Sequence, residues 1–369
     1  METKLNYSLR ELAQLAGVSK STASRVISGN GYASPDVRER VLKAAEKLHY
    51  RPSAVARAMV AKRTHNIGVI VFRDKLPIVS HTLYGKIIDE ILMAAEGLGY
   101  SIFLKTDREM SFRSMDYMLE QRVDGLILVS RLRKNVIDYV KKFNIPYVMV
   151  NGSTEDPDVV HLVSNDEVGG ERAAEHLYAC GHRRFWINAG PGEHRSHSLR
   201  LSGFCRRLEQ LGIPCGAEPD QEPDDSIRNG KDSVRNDEGY VRIAKSPESS
   251  FDFGRKLMEK HYEEFRRGGY SALFSTNDML ALGAMKVLLE HGVSVPEEVA
   301  VMGYDNTDPA RMYHPSLTTV SVDAAGIGRD AVAILDKLIG GEEGVPRLIE
   351  YESEVIVRQS TKCKEDMQE

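Results

Sequence analysis

Residues 8–31 read SLRELAQLAGVSKSTASRVISGNG, and this stretch decides how the beginning of the chain folds. Ser8 and Glu11 form an S-x-x-E capping box, which predicts a helix that starts directly after the serine. Gly17 ends that helix and permits a tight turn, and Ser19 caps a second helix. Two capped helices joined by so short a turn indicate a helix-turn-helix.

A third helix is predicted after Ser34, which is followed by a proline and an acid suited to a first turn. Apolar residues recur at helical spacing in all three helices and give them a common buried side. A unit of this size is too small to hold a substrate pocket, and its shape fits the major groove of DNA. We therefore expect residues 1–50 to be a helix-turn-helix domain that binds double-stranded DNA.

The N-terminal turn of the second helix is the part of such a unit that meets base edges. Lys and Arg suit guanine, and a serine hydroxyl can bond to several bases. The predicted DNA-binding residues of the head are Ser8, Ser19, Lys20, Ser21, Thr22, Ser24, Arg25 and Asn30.

Charge is concentrated at the same end of the chain. Residues 1–63 hold 12 Lys and Arg against 5 Asp and Glu, a net of +7, whereas the whole chain is at −5 and the remainder therefore at −12. A basic head on an acidic body fits phosphate contacts that are confined to one end. Without the helix pattern, a merely solvated basic surface would be an equally good explanation.

A short helix is predicted at about 53–61, inside a hinge and linker segment at 51–63. It has too few apolar residues to be stable alone, so we expect it to order only against a second copy and DNA. An apolar side chain there would act as a wedge between base steps in the minor groove. The alternative is that the segment is only a linker. The predicted DNA-binding residues of the hinge are Ser53, Ala56, Arg57 and Met59.

Apolar runs alternate with amphipathic stretches from residue 64 onward, and the alternation restarts near residue 165. This rhythm is typical of βαβ units, so we expect an α/β body of two doubly wound parallel-sheet lobes behind the all-α head. Ligands bind beyond the carboxyl ends of strands in such sheets, which predicts a site in the cleft between the lobes. A polar, acidic stretch at 212–250 is predicted to be a surface insertion.

The motifs resemble those of the lac repressor (LacI/GalR) family of bacterial transcriptional regulators. The matching words are L-x-x-L-A-x-x-A-G-V-S-x-x-T-x-S-R-V in the head, then V-R-E-R-V-x-x-A-x-x-L-x-Y-R-P and A-x-A-R, and the similarity extends to residues 357–360. Two positions depart from the family pattern: Ser53 stands where Asn is usual, and Met59 replaces the usual Leu of the hinge. Both replacements can do the same physical work.

The resemblance implies a homodimer and a periplasmic-binding-protein-like body at 64–361 that binds an effector and dimerises. It also implies that the chain crosses between the lobes three times. The first lobe would then comprise about 64–164 and 320–344, and the second about 165–319 and 345–361.

Polar side chains stand at the predicted strand ends, where a purely structural role is hard to find for them. Asp, Asn and Arg together suit a sugar, because each sugar hydroxyl both donates and accepts hydrogen bonds. Arg200 could also bind a carboxylate or a phosphate. The family match adds that S-x-x-x-R-x-x-G-F at 196–204 is an effector-arginine motif. The predicted effector-binding residues are Tyr84, Asn151, Ser196, Arg200, Asn277 and Asp305.

For several other residues, a structural role is a better interpretation than ligand or metal binding. Asp278 is expected to cap a helix, Asn306 to lie in a turn and Trp186 to be core. His194 and His197 lack the further ligands that a metal needs. We expect no metal and no cofactor.

The sequence contains no nucleophile elbow, phosphate-binding loop or zinc-protease motif, so we do not expect an enzyme. The four cysteines are scattered and are expected to be reduced. There is no apolar run of membrane-spanning length and no signal segment, which predicts a cytoplasmic protein without membrane contact.

These features together predict a ligand-responsive transcriptional regulator, most simply a repressor of a carbohydrate-utilisation operon. A homodimer would bind a near-palindromic operator, and a small-molecule effector in the cleft, a sugar or sugar derivative, would change its DNA affinity. A sugar-binding protein of the transport type and a sugar-metabolising enzyme with a regulatory head are the alternatives.

Overall fold

The computed structural model describes residues 7–29, 31–50, 63–72, 81–107, 112–120, 122–130, 134–152, 159–215 and 239–361. The predicted DNA-binding residues Asn30, Ser53, Ala56, Arg57 and Met59 lie outside these ranges.

The head consists of three helices: α1 (Leu9–Ala16), α2 (Lys20–Ser28) and α3 (Pro35–Lys47). Each begins after a serine whose hydroxyl accepts a backbone N–H of the first turn, and the predicted capping box is complete at α1. The helices share one small core, made of Leu12, Ala16, Val26, Val41 and Ala44.

The first lobe contains a six-stranded, wholly parallel sheet with helices on its faces. Its strands are β1 (Asn66–Phe72), β2 (Ser101–Asp107), β3 (Gly125–Val129), β4 (Tyr147–Val150), β5 (Val160–Ser164) and β11 (Leu348–Tyr351). Their order across the sheet is β11-β5-β4-β3-β1-β2. The helices of this lobe are α4 (Tyr84–Gly97), α5 (Phe112–Glu120), α6 (Lys134–Lys141) and α12 (Ala324–Gly340).

The second lobe repeats the plan with one antiparallel strand at an edge. Its strands are β6 (Arg184–Ala189), β7 (Tyr240–Lys245), β8 (Ala272–Ser275), β9 (Ala300–Asp305), β10 (Thr318–Ser321) and β12 (Val355–Ile356). Their order is β12-β10-β9-β8-β6-β7, with β12 antiparallel to β10. The helices are α7 (Asp166–Ala179), α8 (Arg195–Gln210), α9 (Phe251–Gly268), α10 (Asp278–Glu290) and α11 (Asp308–Met312).

Central strands of both sheets are buried on both faces, which explains why they read as continuous apolar runs. The chain passes between the lobes after β5, after β10 and again before β12. The third passage was expected at residue 345, but it lies further along the chain. Because Leu348 pairs with His161 in the first sheet, the chain leaves that lobe only after Tyr351.

Two further expectations need correction. The polar stretch 212–250 is not an insertion throughout, because β7 lies within it and pairs with β6. The cysteines are not all reduced: Cys205 and Cys215 form a disulfide, and Cys180 also takes part in one. Among the residues described, no helix has the length and apolar character that a membrane crossing requires.

Candidate functional site

The surface of α2 divides into a buried and an outward side. Ala23 and Val26 pack into the head core, whereas Lys20, Ser21 and Arg25 are exposed. The two other predicted contact residues, Thr22 and Ser24, are half-buried. Two cations and a serine therefore project from one side of a helix of nine residues, as recognition of a DNA groove requires.

The hydroxyls of the two capping serines are already engaged within the head. Ser8 Oγ accepts the backbone N–H of Glu11 at 3.3 Å, and Ser19 Oγ accepts that of Thr22 at 3.1 Å. Ser19 Oγ also lies 2.9 Å from Ser21 Oγ. These serines order the N-termini of α1 and α2, whose remaining backbone N–H groups face outward and suit phosphate oxygens.

The second-lobe half of the cleft centres on Arg200, whose side chain is 3% exposed. Its Nε donates to Asp166 Oδ1 at 2.8 Å, and its Nη1 donates to the Thr276 carbonyl at 2.8 Å. Nη1 also lies 2.9 Å from Asp305 Oδ1, and the guanidinium carbon stacks 3.8 Å from the centre of the Tyr304 ring. The guanidinium is thus held on several sides at once.

One guanidinium here faces two carboxyl groups, Asp166 and Asp305, so the cluster has no excess positive charge. Burial raises the pKa of Asp305 to about 7, against the opposing effect of Arg200. Burial disfavours the charged guanidinium, yet the two carboxylates together raise the pKa of Arg200. Asp305 Oδ1 meets Arg200 Nη1 at 2.9 Å, and a carboxylate oxygen can accept more than one hydrogen bond. The cluster therefore has acceptor capacity left for a ligand.

Close approach of two helices brings Asp166 to Arg200. A Cβ on Gly203 of α8 would lie 2.0 Å from the Glu167 carbonyl oxygen of α7, and one on Gly170 would lie 2.2 Å from the Arg200 carbonyl oxygen. Only glycine permits this contact between the α7 and α8 backbones. The spacing explains why a carboxylate at the start of α7 can bond to an arginine in α8.

Asn277, and not Asp278 as expected, is the residue that caps α10. Asn277 caps α10 by accepting the Leu280 N–H, and its amide donates to the Ser249 carbonyl. Asp278 is not a cap. It is fully buried and accepts hydrogen bonds from Thr307 and Thr319, and burial raises its pKa to about 6. Both polar groups of Asn277 are therefore already used by the protein.

The first-lobe half of the cleft is built from neutral side chains. Tyr84, at the start of α4, points its hydroxyl to Ser130 Oγ at 3.5 Å and receives the Asn151 amide at 3.4 Å. Ser130 follows β3 directly, as Asn151 follows β4, and it is 3% exposed. Tyr84 and Asn151 are thus brought together, with Ser130 as a third member that the sequence reading did not include.

The backbone is strained at the strand ends that surround the cleft. Four residues other than glycine have positive φ there: Ser130 (75°), Asn151 (49°), Asp305 (111°) and Asn306 (54°). Such angles are costly for residues with a Cβ and accumulate at binding sites. They lie at the carboxyl ends of β3, β4 and β9.

The two lobes meet beside these strand ends. Lys86 of α4 lies 3.2 Å from Asp308 of α11, an ion pair that joins the first lobe to the second. A cavity of about 710 Å³ lies next to it, and both α4 and Asp305 contribute to its walls. Of the polar groups described above, Asp305 lines this cavity together with its neighbour Asn306, so the cavity lies beside the Arg200 cluster and not around Tyr84 and Asn151.

Other residues singled out from the sequence have different surroundings. Ser196 is half-buried in the first turn of α8. His197 is buried with Nδ1 2.8 Å from Thr276 Oγ1, and Trp186 lies in the core of the second lobe. No group of three potential metal ligands occurs in the part of the chain described above. Asp166 went unrecognised because it lies two residues beyond the end of β5, and Thr276 because it meets Arg200 through its backbone carbonyl, which residue type does not indicate.

Comparison with protein families divides the chain as the structure does. Residues 8–53 match the bacterial regulatory proteins of the lacI family. Residues 64–237 match the periplasmic binding proteins and sugar binding domain of the LacI family, and residues 174–361 match a periplasmic binding protein-like domain.

Individual proteins align over nearly the full length. The HTH-type transcriptional repressor PurR of Haemophilus influenzae (strain PittEE) is 31% identical, covering 96% of this chain and 98% of the relative. A lac repressor dimer bound to operator and the anti-inducer ONPF superimposes with a TM-score of 0.79 at 26% identity, covering 96% and 99% of the two chains. A complex of the transcriptional regulator CelR with cellobiose gives a TM-score of 0.65 at 27% identity, covering 96% and 100%.

The head and the two-lobed body therefore occur in these relatives in the same order, with the same extent and the same fold. The relatives are transcriptional regulators and not enzymes, and the polar cleft behind a DNA-binding head makes this chain a ligand-responsive one. The protein belongs to the lacI family of bacterial regulatory proteins.

Proposed function

We propose that this protein is a homodimeric, cytoplasmic repressor of a carbohydrate-utilisation operon. Each subunit would place α2 in a major groove of a near-palindromic operator, with half-sites about one helical turn apart. The superposition with a lac repressor dimer on its operator supports this arrangement. The hinge residues Ser53, Ala56, Arg57 and Met59 would contact the minor groove at the centre of the site.

The observation that carries the proposal is the interlobe site behind the head. Arg200, Asp166 and Asp305 form a buried charged cluster on one lobe, and Tyr84 and Asn151 form a neutral polar group on the other. Strained strand ends border both groups. A protein that only bound DNA would have no use for a buried charged cluster whose carboxyl group Asp305 lines a cavity.

The charge of the cluster favours a neutral, polyhydroxylated effector over a phosphorylated one. Arg200 already satisfies Asp166 and the Thr276 carbonyl, so its capacity to bind a phosphate in bidentate fashion is reduced. A phosphate would also meet the Asp166 carboxylate, with no excess positive charge in the cluster to hold it. A sugar hydroxyl, in contrast, can donate to Asp305 and accept from the Asn151 amide.

Effector binding would act on DNA by changing how the lobes meet. The Lys86–Asp308 pair crosses between them, so a ligand that alters their angle must alter this contact. Movement of the first lobes would reposition the paired hinges and heads. Because binding free energies are linked, operator must then change effector affinity by the same factor as effector changes operator affinity.

The proposed operator binding is tested by selecting DNA duplexes from a random pool with the full-length protein. We expect enrichment of a twofold-symmetric sequence, with an affinity that falls steeply as salt rises. R25A should abolish the enrichment, whereas K43A, which removes an equal charge from α3, should retain it. Equal loss in both variants, or no symmetric sequence with the wild type, would refute the proposal.

The effector class is tested by thermal shift with neutral sugars and the matching sugar phosphates. A ligand that binds the folded protein raises its melting temperature by mass action. We expect neutral sugars to give the shift and D305A to lose it. A shift with phosphorylated sugars alone would contradict the proposed class.

A further inference from the structure

Two cysteines of the second lobe are joined across different elements. Cys205 lies in α8, and Cys215 lies five residues beyond the end of that helix. Their Cα atoms are 5.4 Å apart and their sulfurs form a disulfide. This separation is within the range that a disulfide bridges without movement of the backbone. The two thiols are therefore preorganised to form the bond.

The bond ties α8 to the β7 edge of the second sheet. Cys215 forms a parallel bridge with Val241 of β7, and β7 is the outermost strand on that side. Since Phe185 of β6 pairs with Val241 on its inner side, Cys215 covers the outer one. Uncovered edge strands invite pairing with other chains. The disulfide thus fixes a residue that protects such an edge.

We propose that Cys205 and Cys215 form a reversible redox pair that responds to low-molecular-weight disulfides such as glutathione disulfide. The inference rests on the proposed function in one respect, namely that a DNA-binding regulator works in the compartment of the chromosome. Thiol systems there keep most cysteines reduced, so a bond between preorganised thiols forms on oxidation and opens afterwards.

Closure of the pair is a two-electron oxidation with glutathione disulfide as the oxidant. One thiolate attacks a sulfur of glutathione disulfide, which releases one glutathione and leaves a mixed disulfide. The second cysteine, as thiolate, displaces the second glutathione and completes the bond. The two protons of the cysteine thiols end on the two released glutathiones. Both cysteines are half-buried, so a small disulfide can reach them.

Oxidation should stabilise the edge without altering the effector cluster. Arg200 lies in α8 as well, but the backbone contact at Gly170 and Gly203 holds this part of the helix against α7. Beyond Cys205 the contacts to α7 are instead side-chain ion pairs, from Arg206 to Glu167 and Glu171 and from Arg207 to Glu175. We therefore expect the redox state to change protection of the Cys215–Val241 region and to leave the Arg200 cluster unchanged.

The bond is mapped on the full-length protein in glutathione buffers of increasing oxidised fraction, followed by alkylation and trypsin digestion. Cleavage after Arg206 and Arg207 places Cys205 and Cys215 on separate peptides, so only the disulfide can keep them together. The linked pair should appear at one midpoint and disappear on reduction. Separate glutathione adducts at every ratio, or linkage between two chains, would overturn the proposal.

The matched control is the double variant C205A/C215A, which keeps Cys180 and Cys363. Oxidation should raise the melting temperature of the wild type by roughly 5 °C more than that of the variant. It should also slow hydrogen exchange of β7 in the wild type alone. Equal responses in both proteins would contradict the assignment. The mapping requires neither operator nor effector, so its outcome is independent of any failure to find them.

Discussion

The two halves of the cleft are built on different physical principles. On the second lobe, Arg200 is almost wholly buried and holds two carboxylates and a carbonyl at 2.8–2.9 Å. On the first lobe, Tyr84 and Asn151 are half-buried, uncharged and joined at 3.4 Å. The first arrangement is fixed by charge and burial, and the second by weak contacts that a ligand can replace at little cost.

This difference suggests a division of labour between the lobes. A preorganised charged cluster decides which chemistry a ligand must present, because its groups cannot move to accommodate another one. A loosely bonded neutral group adapts to whatever the cluster has selected. The lobe with Arg200 would therefore determine ligand specificity, and the lobe with Tyr84 would close on the bound ligand.

The largest expected effect is on stability when the charged half is broken. R200A leaves Asp166 and Asp305 buried without their cation, which should lower the free energy of unfolding by about 3–5 kcal/mol. R206A is the matched control on the same helix, since its side chain is 47% exposed and pairs with Glu167 and Glu171. It should cost less than about 1 kcal/mol in urea unfolding. Similar losses would mean that burial does not distinguish the two arginines.

Removing one carboxylate from the cluster should have a smaller effect. D166N keeps the shape of the side chain but withdraws the charge that Arg200 Nε meets at 2.8 Å. We expect a loss of about 1–3 kcal/mol in urea unfolding, together with weaker effector binding. E167Q, on the adjacent and more exposed position of α7, serves as the control. An effect of D166N no larger than that of E167Q would show that Arg200 is held by other contacts.

The pH dependence of stability tests the environment of Asp305. Burial raises its pKa from 3.8 to about 7 in the folded protein. At pH values between these two, the folded state holds a proton that the unfolded state has already released. The wild type should therefore lose stability as pH rises from about 4 to about 7. Relative to D305N, the loss should be about 2 kcal/mol between pH 5 and pH 7 in thermal or urea unfolding. Parallel curves for the two proteins would contradict the assignment.

The smallest effect on stability is expected on the neutral half. Y84F removes a hydroxyl whose contacts to Ser130 and Asn151 are long, so unfolding should change by less than about 1 kcal/mol. Effector affinity should nevertheless fall by up to about tenfold if, as proposed, the hydroxyl exchanges these long contacts for one to the ligand. A large loss of stability would show that this half of the cleft is as rigid as the other.

Much of the fold followed from local pattern, because capping residues and periodicity act over short distances. The capping box at Ser8, the cap at Ser19 and the alternating body all reflect such local rules. The strand β7 was hidden in a polar stretch, since an edge strand needs no continuous apolar run. The place of β11 in the first sheet was equally out of reach, because strand pairing over such a sequence distance leaves no local signal.

The cleft was predictable where polar residues follow buried strands, as Asn151 and Asp305 do. The rule could also have included Ser130, which follows β3 in the same way. Asp166 could not be found in this manner, because its proximity to Arg200 depends on the close packing of α7 and α8. Asn277 was predicted from a family motif to bind the effector, but its side-chain oxygen caps α10.

The central claim is that the cleft controls the head, and the most direct measurement is the coupling between the two sites. Effector affinity is measured by calorimetry with and without the selected operator, and operator affinity with and without the effector. We expect both affinities to change, in the same direction and by the same factor. An effector that binds in the cleft, with the affinity for operator unchanged, would contradict it.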